Sequence, residues 1–566
     1  MMYAHFPIRG VIYPSEAEVV AAINSGSSLE KSGGDIVRRR ASSLADKPFL
    51  ISDSGITTYS QFDASTEILA AALLDLGLQP GDRAIFQMGT VEETLTALFG
   101  CYKAGIVPVC TLPQHREHEI AAMIKLTAPR AYFVQSDFSA SFDLFAFATE
   151  MAGKYGSVEH IIPTYGSRFS LRKLATSLDH VAACRRLSDV KVNARDVLSF
   201  QLSGGSTGTP KVIPRFHGEY LGQANSIVRR YLLTSSDVAI WPLPLIHNAA
   251  MVMVIFPILL TGGTIVLQRR FELHAFLKAI EIHKVTFAGS IGPIAQSLLD
   301  YQNLSSHDLS SLRMFFVLDR ADAIERHLNV PTANLYGITE GLLMTCRPDD
   351  PAEVRLSSSG YPTGVGDEIR LVEPGSEKPV ENGSDGELCF RGPHTLRGYY
   401  NAPQISAESF TKDGYFRSGD LVRVTNVNEK TVLTFLGRLK DNISRGGEKF
   451  AAEEVERMIV VHPAIVDAKV VAMPDRLLGE KACAFVVVRA GQRCPSKQEL
   501  GAFLTESGLA RYKHPERIEV IKEFPLTRVG KVDKAAMRRL IAQRLSEEEH
   551  SASIVDQNAT HVGAGV

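Results

Sequence analysis

The stretch that most restricts what this chain can fold into is residues 197–216, VLSFQLSGGSTGTPKVIPRF. Residues 197–202 are rich in β-formers and predict a strand, and residues 212–216 predict a second one. Between them lie Ser203, Gly204, Gly205, Ser206, Thr207, Gly208 and Thr209, closed by Pro210 and Lys211. Glycines let backbone N–H groups approach an anion closely, and hydroxyl side chains add donors. Lys211 supplies a cation, so the loop suits a triphosphate. It is not a Walker A loop, in which Lys follows Gly directly and opens a helix. Here Thr209 and Pro210 separate Gly208 from Lys211, and a strand-like segment follows. A mobile linker would also be Gly/Ser-rich, but is seldom framed by two β-rich runs with a lysine at its exit.

The surrounding pattern alternates strands with helices. Residues 36–45 predict a helix and residues 49–59 a hairpin turning at Ser54-Gly55. A helix is expected over 60–78, with Ile68, Leu69, Ala72, Leu73 and Leu76 on one face. Strand 81–88, helix 91–104, strand 106–110, helix 118–127 and strand 131–135 follow, and a second such series runs from 197 to about 350. This alternation implies a parallel sheet covered on both faces, an α/β fold. Residues 355–436 instead show short β-like runs separated by Gly, Asn and Pro, as in a small antiparallel subdomain. Past Arg438 the pattern is compact α+β: helix 451–461, strands 466–473 and 482–489, helix 497–507, strand 517–521, helix 533–545. The expected division is a large domain over 1–439, with a variable leader over 1–30, then a small domain over 440–548 and a disordered tail over 549–566.

Further along the chain stand Tyr336-Gly337-Ile338-Thr339-Glu340-Gly341 and Tyr415-Phe416-Arg417-Ser418-Gly419-Asp420. Then come Gly437-Arg438-Leu439-Lys440-Asp441, Ser444-Arg445-Gly446-Gly447-Glu448-Lys449 and Leu526-Thr527-Arg528-Val529-Gly530-Lys531. With the glycine-rich loop, these segments in this order resemble the adenylate-forming enzymes: acyl-CoA synthetases, peptide-synthetase adenylation domains and luciferases. The resemblance extends over residues 50 to 545 and is strongest to the stand-alone aryl acid–AMP ligases of siderophore and nonribosomal peptide assembly lines. It implies an αβαβα-layered N-terminal domain and a mobile C-terminal lid. It also implies the reaction: an aromatic carboxylic acid plus ATP gives an aryl-AMP, which is then transferred to the thiol of a phosphopantetheinylated aryl carrier protein or of CoA.

The resemblance also assigns roles. Ser203, Gly204, Gly205, Ser206, Thr207, Gly208 and Lys211 would hold the β- and γ-phosphates. Tyr336, with Leu335 beside it, would meet adenine, and Thr339 the α-phosphate. Glu340 would hold Mg²⁺, a hard cation that prefers oxygen ligands. Asp420 would accept from the ribose hydroxyls, helped by Arg438. Lys440 would be the pivot of the lid, and Lys449 would follow the Gly446-Gly447 turn that approaches the pantetheine arm. Lys531 would bridge the substrate carboxylate and the α-phosphate.

For the acid, Pro244-Leu245-Ile246-His247-Asn248 is similar to the aryl ligases' PxxHN. Asn248 would meet the ortho substituent and His247 the carboxylate. Met253 and Leu343 stand where dihydroxybenzoate ligases carry serine and valine. Both remove room or polarity for a 3-hydroxyl, which favours salicylate or another ortho-hydroxy, ortho-amino or heteroaryl acid. The segment Phe316-Val317-Leu318-Asp319-Arg320-Ala321 departs from the family's Gly-Gly-Ala turn, and Ala288-Gly289-Ser290-Ile291-Gly292-Pro293 from its double proline. A rebuilt adenine wall or aryl pocket is expected there. Leu112-Pro113-Gln114-His115-Arg116 is similar to a stretch at the family's active-site mouth.

Composition bounds the alternatives. The net charge of −2 supplies no global basic field for nucleic acid. Residues 251–260 are the most apolar run and are too short to cross a bilayer. The N-terminal residues show no signal-peptide pattern. Seven scattered cysteines without a CxxC pair fit a reducing cytoplasm. Oligomeric state stays open. Two other readings stand beside the first: an aryl-CoA ligase, and a nucleotide-binding pseudo-enzyme whose support is the 316–321 segment.

Overall fold

The computed structural model describes residues 3–562 apart from 204–209, 291, 382–383, 428–429, 446–447, 476–477, 508, 510 and 528–530; for residues 292–293, 444, 448–449, 512 and 549–562 it describes backbone alone. The chain divides into two compact units. One comprises Met1–Arg370, Cys389–Arg417 and Thr425–Thr434; the other comprises Leu371–Leu388, Ser418–Val424 and Phe435–Val566.

The first unit holds two large sheets. In the nine-stranded sheet the order is Tyr361–Pro362, Leu343–Thr345, Thr332–Gly337, Met314–Val317, Phe287–Gly289, Val238–Trp241, Thr264–Leu267, Pro48–Ser52 and Gly55–Thr58. Its interior pairs are parallel, and antiparallel pairs close both ends. The six-stranded sheet runs His160–Pro163, Ala131–Val134, Arg83–Gln87, Val107–Val109, Val197–Leu202 and Val212–Phe216. Its last pair alone is antiparallel. Strands such as Ala131–Val134 and Met314–Val317 are buried along their whole length, as parallel strands covered on both faces must be. This is the α/β architecture that the strand–helix alternation implies.

The helices start where local chemistry provides a cap. Helix Tyr59–Asp75 begins at Thr58, whose hydroxyl accepts from the Gln61 amide while Gln61 reaches back to Thr58. Helix Gly33–Ser43 begins with the same box at Ser32 and Asp35. Helix Glu92–Ala104 ends at Gly105, whose φ of 72° is the left-handed conformation glycine tolerates. Phe99, fully buried on that helix, lies edge-on to Phe62 at 5.4 Å, Tyr102 at 5.2 Å and Phe256 at 5.8 Å.

In the second unit, strand Gly479–Val488 lies between Ile465–Asp475 and Asn442–Arg445, with Glu448–Ala451 beyond the latter; Arg517–Val520 pairs with it in parallel. Val455, Ile459, Leu500 and Leu504 pack on one side, with Met537 and Ile541 in a separate cluster beside Met473 and Phe485. Helix Ala452–Ile459 buries positions 452, 455, 456 and 459, the spacing of one helical face. The last helix runs Lys534–Val562, past residue 545 where the sequence reading ends it and into the expected tail. Three consecutive glutamates, Glu547 to Glu549, are good helix formers and carry it on. Strands Glu368–Val372, Asp385–Arg391, Phe416–Val427 and Lys430–Arg438 form a four-stranded sheet in chain order, the β-rich region expected over 355–436. Among the described residues no helix is long and apolar enough to cross a membrane, and none of the seven cysteines forms a disulfide.

Phe99→Ala removes the ring at the centre of these aromatic contacts. It should cost about 3–5 kcal/mol, read as a fall of several degrees in Tm by calorimetry.

Candidate active site

The stem of the glycine-rich loop is an antiparallel ladder in which Leu202 pairs with Val212. It is locked at the next step: the Ser203 amide donates to the Lys211 carbonyl at 2.9 Å, and the Lys211 amide donates to Ser203 Oγ at 3.1 Å. Gly204, Gly205, Ser206, Thr207 and Gly208 lie outside the described residues. Lys211 Nζ sits 4.6 Å above the ring of Tyr399.

Tyr399 connects this lysine to the second motif. Its hydroxyl donates to Glu340 Oε1 at 2.9 Å. Burial, reinforced by the Glu340 charge, holds the Tyr399 phenol well above its usual range, so it remains a donor. Glu340 sits in a tight turn after strand Thr332–Gly337, where the Gly341 amide donates to the Ile338 carbonyl at 3.1 Å. Gly341 has φ 132°, and a Cβ there would lie 2.0 Å from the His394 carbonyl oxygen. Only glycine fits that approach. The segment 396–400 staples both motifs: the Leu396 amide donates to the Glu340 carbonyl at 2.7 Å and the Tyr400 amide to the Val212 carbonyl at 2.9 Å. Leu335 and Tyr336, just before the turn, are buried; Thr339 is half-buried.

A buried arginine reaches the same turn from behind. Arg215 Nη1 donates to the Thr339 carbonyl at 2.7 Å, and Nη2 bonds to Glu219 and, at 3.1 Å, to Gln223 Oε1. Gln223 Nε2 in turn donates to the Gly341 carbonyl at 2.6 Å. The guanidinium also lies 4.6 Å over the ring of Tyr220, whose hydroxyl donates to Asn248 Oδ1. Asn248 opens the short helix Asn248–Ala250, and exposed His247 caps it, its Nδ1 accepting from the Ala249 amide at 3.2 Å. Met253, in the π-helical turn Met251–Ile255, and Leu343 are buried in the main core.

The 316–321 segment lies at the carboxyl end of strand Met314–Val317. Phe316 stacks on Trp241 with centroids 5.7 Å apart, and fills the space a side chain at Gly289 would need, 2.3 Å from its Cβ. Leu318 is 47% exposed. Arg320 takes a left-handed φ of 66° and donates from Nη1 to Gln296 Oε1 at 2.6 Å. Of the 288–293 stretch, Ile291 lies outside the described residues. In Leu112-Pro113-Gln114-His115-Arg116, His115 Nδ1 accepts from the Leu112 amide, Arg116 donates to the Pro113 and His115 carbonyls, and Gln87 Nε2 donates to the Leu112 and His115 carbonyls, each at 3.0 Å.

In the second unit, Asp420 is buried with Arg438 Nε 3.6 Å from its Oδ1, and its amide donates to Ser418 Oγ at 3.0 Å. Lys440 sits in the turn Leu439–Asp441, where burial and the nearby Arg438 charge push its ammonium below its usual value. Lys449 lies on strand Glu448–Ala451, its side chain outside the described residues. Lys531 is exposed; the Thr527 amide donates to its carbonyl at 2.6 Å, and its own amide donates to Thr527 Oγ1 at 3.2 Å.

Sequence reasoning passes over four side chains the structure brings to the first unit's site. They are Arg215, Tyr220, Tyr399 and His394. A charged residue inside the β-rich run 212–216, and the tyrosine pair after Gly398, are the local signals for two of them. His394 is fully buried, its Nε2 2.8 Å from the Ser27 carbonyl and its Nδ1 3.6 Å from Asp367 Oδ1. Both ring nitrogens thus face acceptors. Burial opposes the imidazolium, but the Asp367 hydrogen bond and charge, the Glu219 charge and the Ser27 carbonyl outweigh it, and His394 titrates above its ordinary value.

The first unit's parallel sheets bear the Ser203–Lys211 stem and the Glu340 turn, and the second unit is α+β. Residues 37–400 match the AMP-binding enzyme family, and residues 454–531 match the AMP-binding enzyme C-terminal domain. The chain belongs to the AMP-binding enzymes. Within that class it is 36% identical over 519 residues to a 2,3-dihydroxybenzoate-AMP ligase of Bacillus subtilis (strain 168), covering 90% of this chain and 94% of that one. It is 36% identical over 503 residues to pyochelin synthase PchD of Pseudomonas aeruginosa (strain UCBPP-PA14), covering 88% and 90%. Among solved structures it is similar to apo MbtA of Mycobacterium smegmatis, with a TM-score of 0.71 and 30% identity over 94% of this chain and 98% of that one.

The His394–Asp367 pair makes stability depend on pH. A histidine raised above its ordinary 6.5 contributes stability that is complete below that value and is lost as pH rises through the folded value. Asp367→Asn should therefore lower Tm most near pH 6, with a deficit that shrinks as pH rises. Calorimetry across neutral pH checks this; a deficit independent of pH contradicts it.

Proposed function

We propose that this enzyme is an aryl acid–AMP ligase that activates an ortho-substituted aromatic acid with ATP and loads it onto the phosphopantetheine thiol of a carrier protein in the cytoplasm. One observation carries the proposal. Lys211 and Glu340 are joined through Tyr399, and the Glu340 turn is joined through Arg215 and Tyr220 to Asn248. A cation and a carboxylate suited to a metal-bound polyphosphate, and an amide suited to a substituted acid, thus share one framework. The name of the B. subtilis relative, a ligase of a hydroxylated benzoate, supports the same reading.

In the first step an oxygen of the acid's carboxylate attacks the α-phosphorus. The bond from phosphorus to the α,β-bridging oxygen breaks, and pyrophosphate leaves with the electron pair. No proton need move, so the protein's task is positioning and charge neutralisation. Ser203, the 204–208 glycine-rich segment and Lys211 take the β- and γ-phosphates. Thr339 takes the α-phosphate, and Leu335 and Tyr336 border adenine. Asp420 and Arg438 serve the ribose hydroxyls, and Lys531 neutralises the carboxylate and α-phosphate as they meet. His247 adjoins the carboxylate, and Met253 and Leu343 bound the ring. Their apolar side chains offer nothing to a 3-hydroxyl and favour salicylate-like acids.

Glu340 is the candidate Mg²⁺ ligand. Tyr399 holds Oε1, and Oε2 makes no hydrogen bond among the described residues. Those residues contain no cluster of three or more His, Cys, Asp or Glu suited to a metal, and Mg²⁺ held by one carboxylate, phosphate oxygens and water needs none. Held there by Glu340, Mg²⁺ would supply positive charge beside the phosphates. In the second step the thiolate attacks the acyl carbon, the carbon–oxygen bond to AMP breaks, and AMP leaves. Lys440 is the pivot between the two steps, and Lys449 belongs to the second.

ATP–pyrophosphate exchange with salicylate and related acids tests this reading; no exchange with any aryl acid would sink it. Lys531→Ala should lower exchange by about 10²–10³-fold, the scale of losing one transition-state charge partner, while Tm is unchanged. Asn248→Ala should reduce kcat/KM for salicylate about tenfold more than for benzoate, measured by the same exchange. Transfer to a carrier protein but not to free CoA is the expected second half-reaction.

A further inference from the structure

Asn248 carries two unlike groups, an acceptor Oδ1 and a donor Nδ2. Which of them meets the substrate depends on what holds the other. Tyr220 is fully buried on helix His217–Tyr231, with the Arg215 guanidinium 4.6 Å above its ring and Phe256 edge-on at 6.2 Å. Its ring therefore has little freedom to turn aside. Its hydroxyl makes one hydrogen bond among the described residues, to Asn248 Oδ1. A buried O–H left without an acceptor costs free energy. Burial also keeps the phenol protonated, raising it well above its usual range. Turning the amide over would set its NH₂ against the tyrosine and leave that O–H proton unmatched. Nδ2, at half-buried Asn248, has no partner among the described residues.

We propose that Tyr220 is a specificity-determining residue: by holding Oδ1 of Asn248 it commits the amide to offer its NH₂ to the substrate, so the pocket selects an ortho-hydroxy acid over an ortho-amino acid. The proposal rests on the reading of Asn248 as the ortho contact. In salicylate the hydroxyl proton bonds to the molecule's own carboxylate, and the oxygen's remaining lone pair faces outward as an acceptor for Nδ2. In anthranilate one N–H bonds to the carboxylate and the other faces outward as a donor. Its nitrogen lone pair is delocalised into the ring. Nδ2 would then meet a donor, and neither would be satisfied. The substrate class that the sequence leaves open, ortho-hydroxy or ortho-amino, is thereby decided by a residue that never touches the acid.

The test is the ratio of kcat/KM for salicylate to that for anthranilate in ATP–pyrophosphate exchange, with benzoate as the internal reference. The unsubstituted full-length enzyme should prefer salicylate. Tyr220→Phe frees the amide to rotate, and the ratio should fall about tenfold, the scale at which a site rejects a mismatched hydrogen-bonding group through one partner. A general loosening of the helix would lower all three acids alike and leave the ratio where it was. Asn248→Asp keeps an acceptor for Tyr220 but presents a second acceptor in place of Nδ2. It should turn the preference toward anthranilate, and it decides the matter if Tyr220→Phe does not fold. An enzyme that prefers anthranilate, or a Tyr220→Phe ratio equal to the original while Asn248→Ala abolishes discrimination, overturns the role of Tyr220 and leaves the pocket assignment standing. If Asn248→Ala also leaves the ratio unchanged, the pocket assignment itself has failed.

Discussion

One buried guanidinium ties the turn bearing Glu340 to the helix that leads to Asn248. Arg215 is 1% exposed, and a charge so placed is tolerable only if an opposite charge and hydrogen-bond acceptors meet it. Its partners are Glu219, Gln223 and the Thr339 carbonyl, with the Tyr220 face as a fourth neighbour. They come from a helix and from a turn more than a hundred residues later. Loss of Glu219 would strand the charge, and loss of Gln223 or the Thr339 carbonyl would leave a buried N–H unmatched, so these elements hold one geometry together. Its Nε lacks a hydrogen-bond partner among the described residues, which leaves the two outer nitrogens to carry the linkage.

The turn bearing Glu340 is consequently gripped from several directions. Arg215 and Gln223 hold its carbonyls, Leu396 bonds to the Glu340 backbone, and Tyr399 bonds to its carboxylate. The His394 backbone fits against Gly341, and the imidazole behind it is itself anchored to Asp367 and Ser27. A carboxylate held in this way needs little rearrangement when charge arrives, which is the physical content of preorganisation. The neighbouring Asn248 is fixed by the same logic, through a tyrosine that rests on the arginine.

The second unit uses a comparable device near its own candidate lysine. Lys534 is nearly buried between Glu453 and Glu456, each 2.8 Å from its Nζ. Glu456 Oε1 also accepts from the Val470 amide at 2.8 Å. This cluster fixes the start of helix Lys534–Val562 against strand Ile465–Asp475. The loop carrying Lys531 emerges from that fixed point, with Leu526 bridged to Val532 and the Asp533 amide bonded to the Pro525 carbonyl. The exposed Lys531 thus has a fixed root.

Much of this was legible in the chain. The alternation of β-rich and helical stretches specified parallel sheets, because period and length are local properties that burial on two faces imposes on each strand. The Ser203–Lys211 stem, the turn at Glu340 and the Ser418–Asp420 segment were legible because β-rich runs, glycine and short polar residues mark them locally. What could not be read was pairing at a distance. Arg215 looks like one charged residue in a β-rich run, Tyr220 and Tyr399 like ordinary core aromatics, and His394 like a loop histidine. Each acquires its part only when strands and helices far apart in sequence are packed together. The sequence by itself determined the fold class and the family. Tertiary structure alone decided which way the Asn248 amide faces and what holds Glu340, because a hydrogen bond's direction belongs to two partners and the chain order names only one.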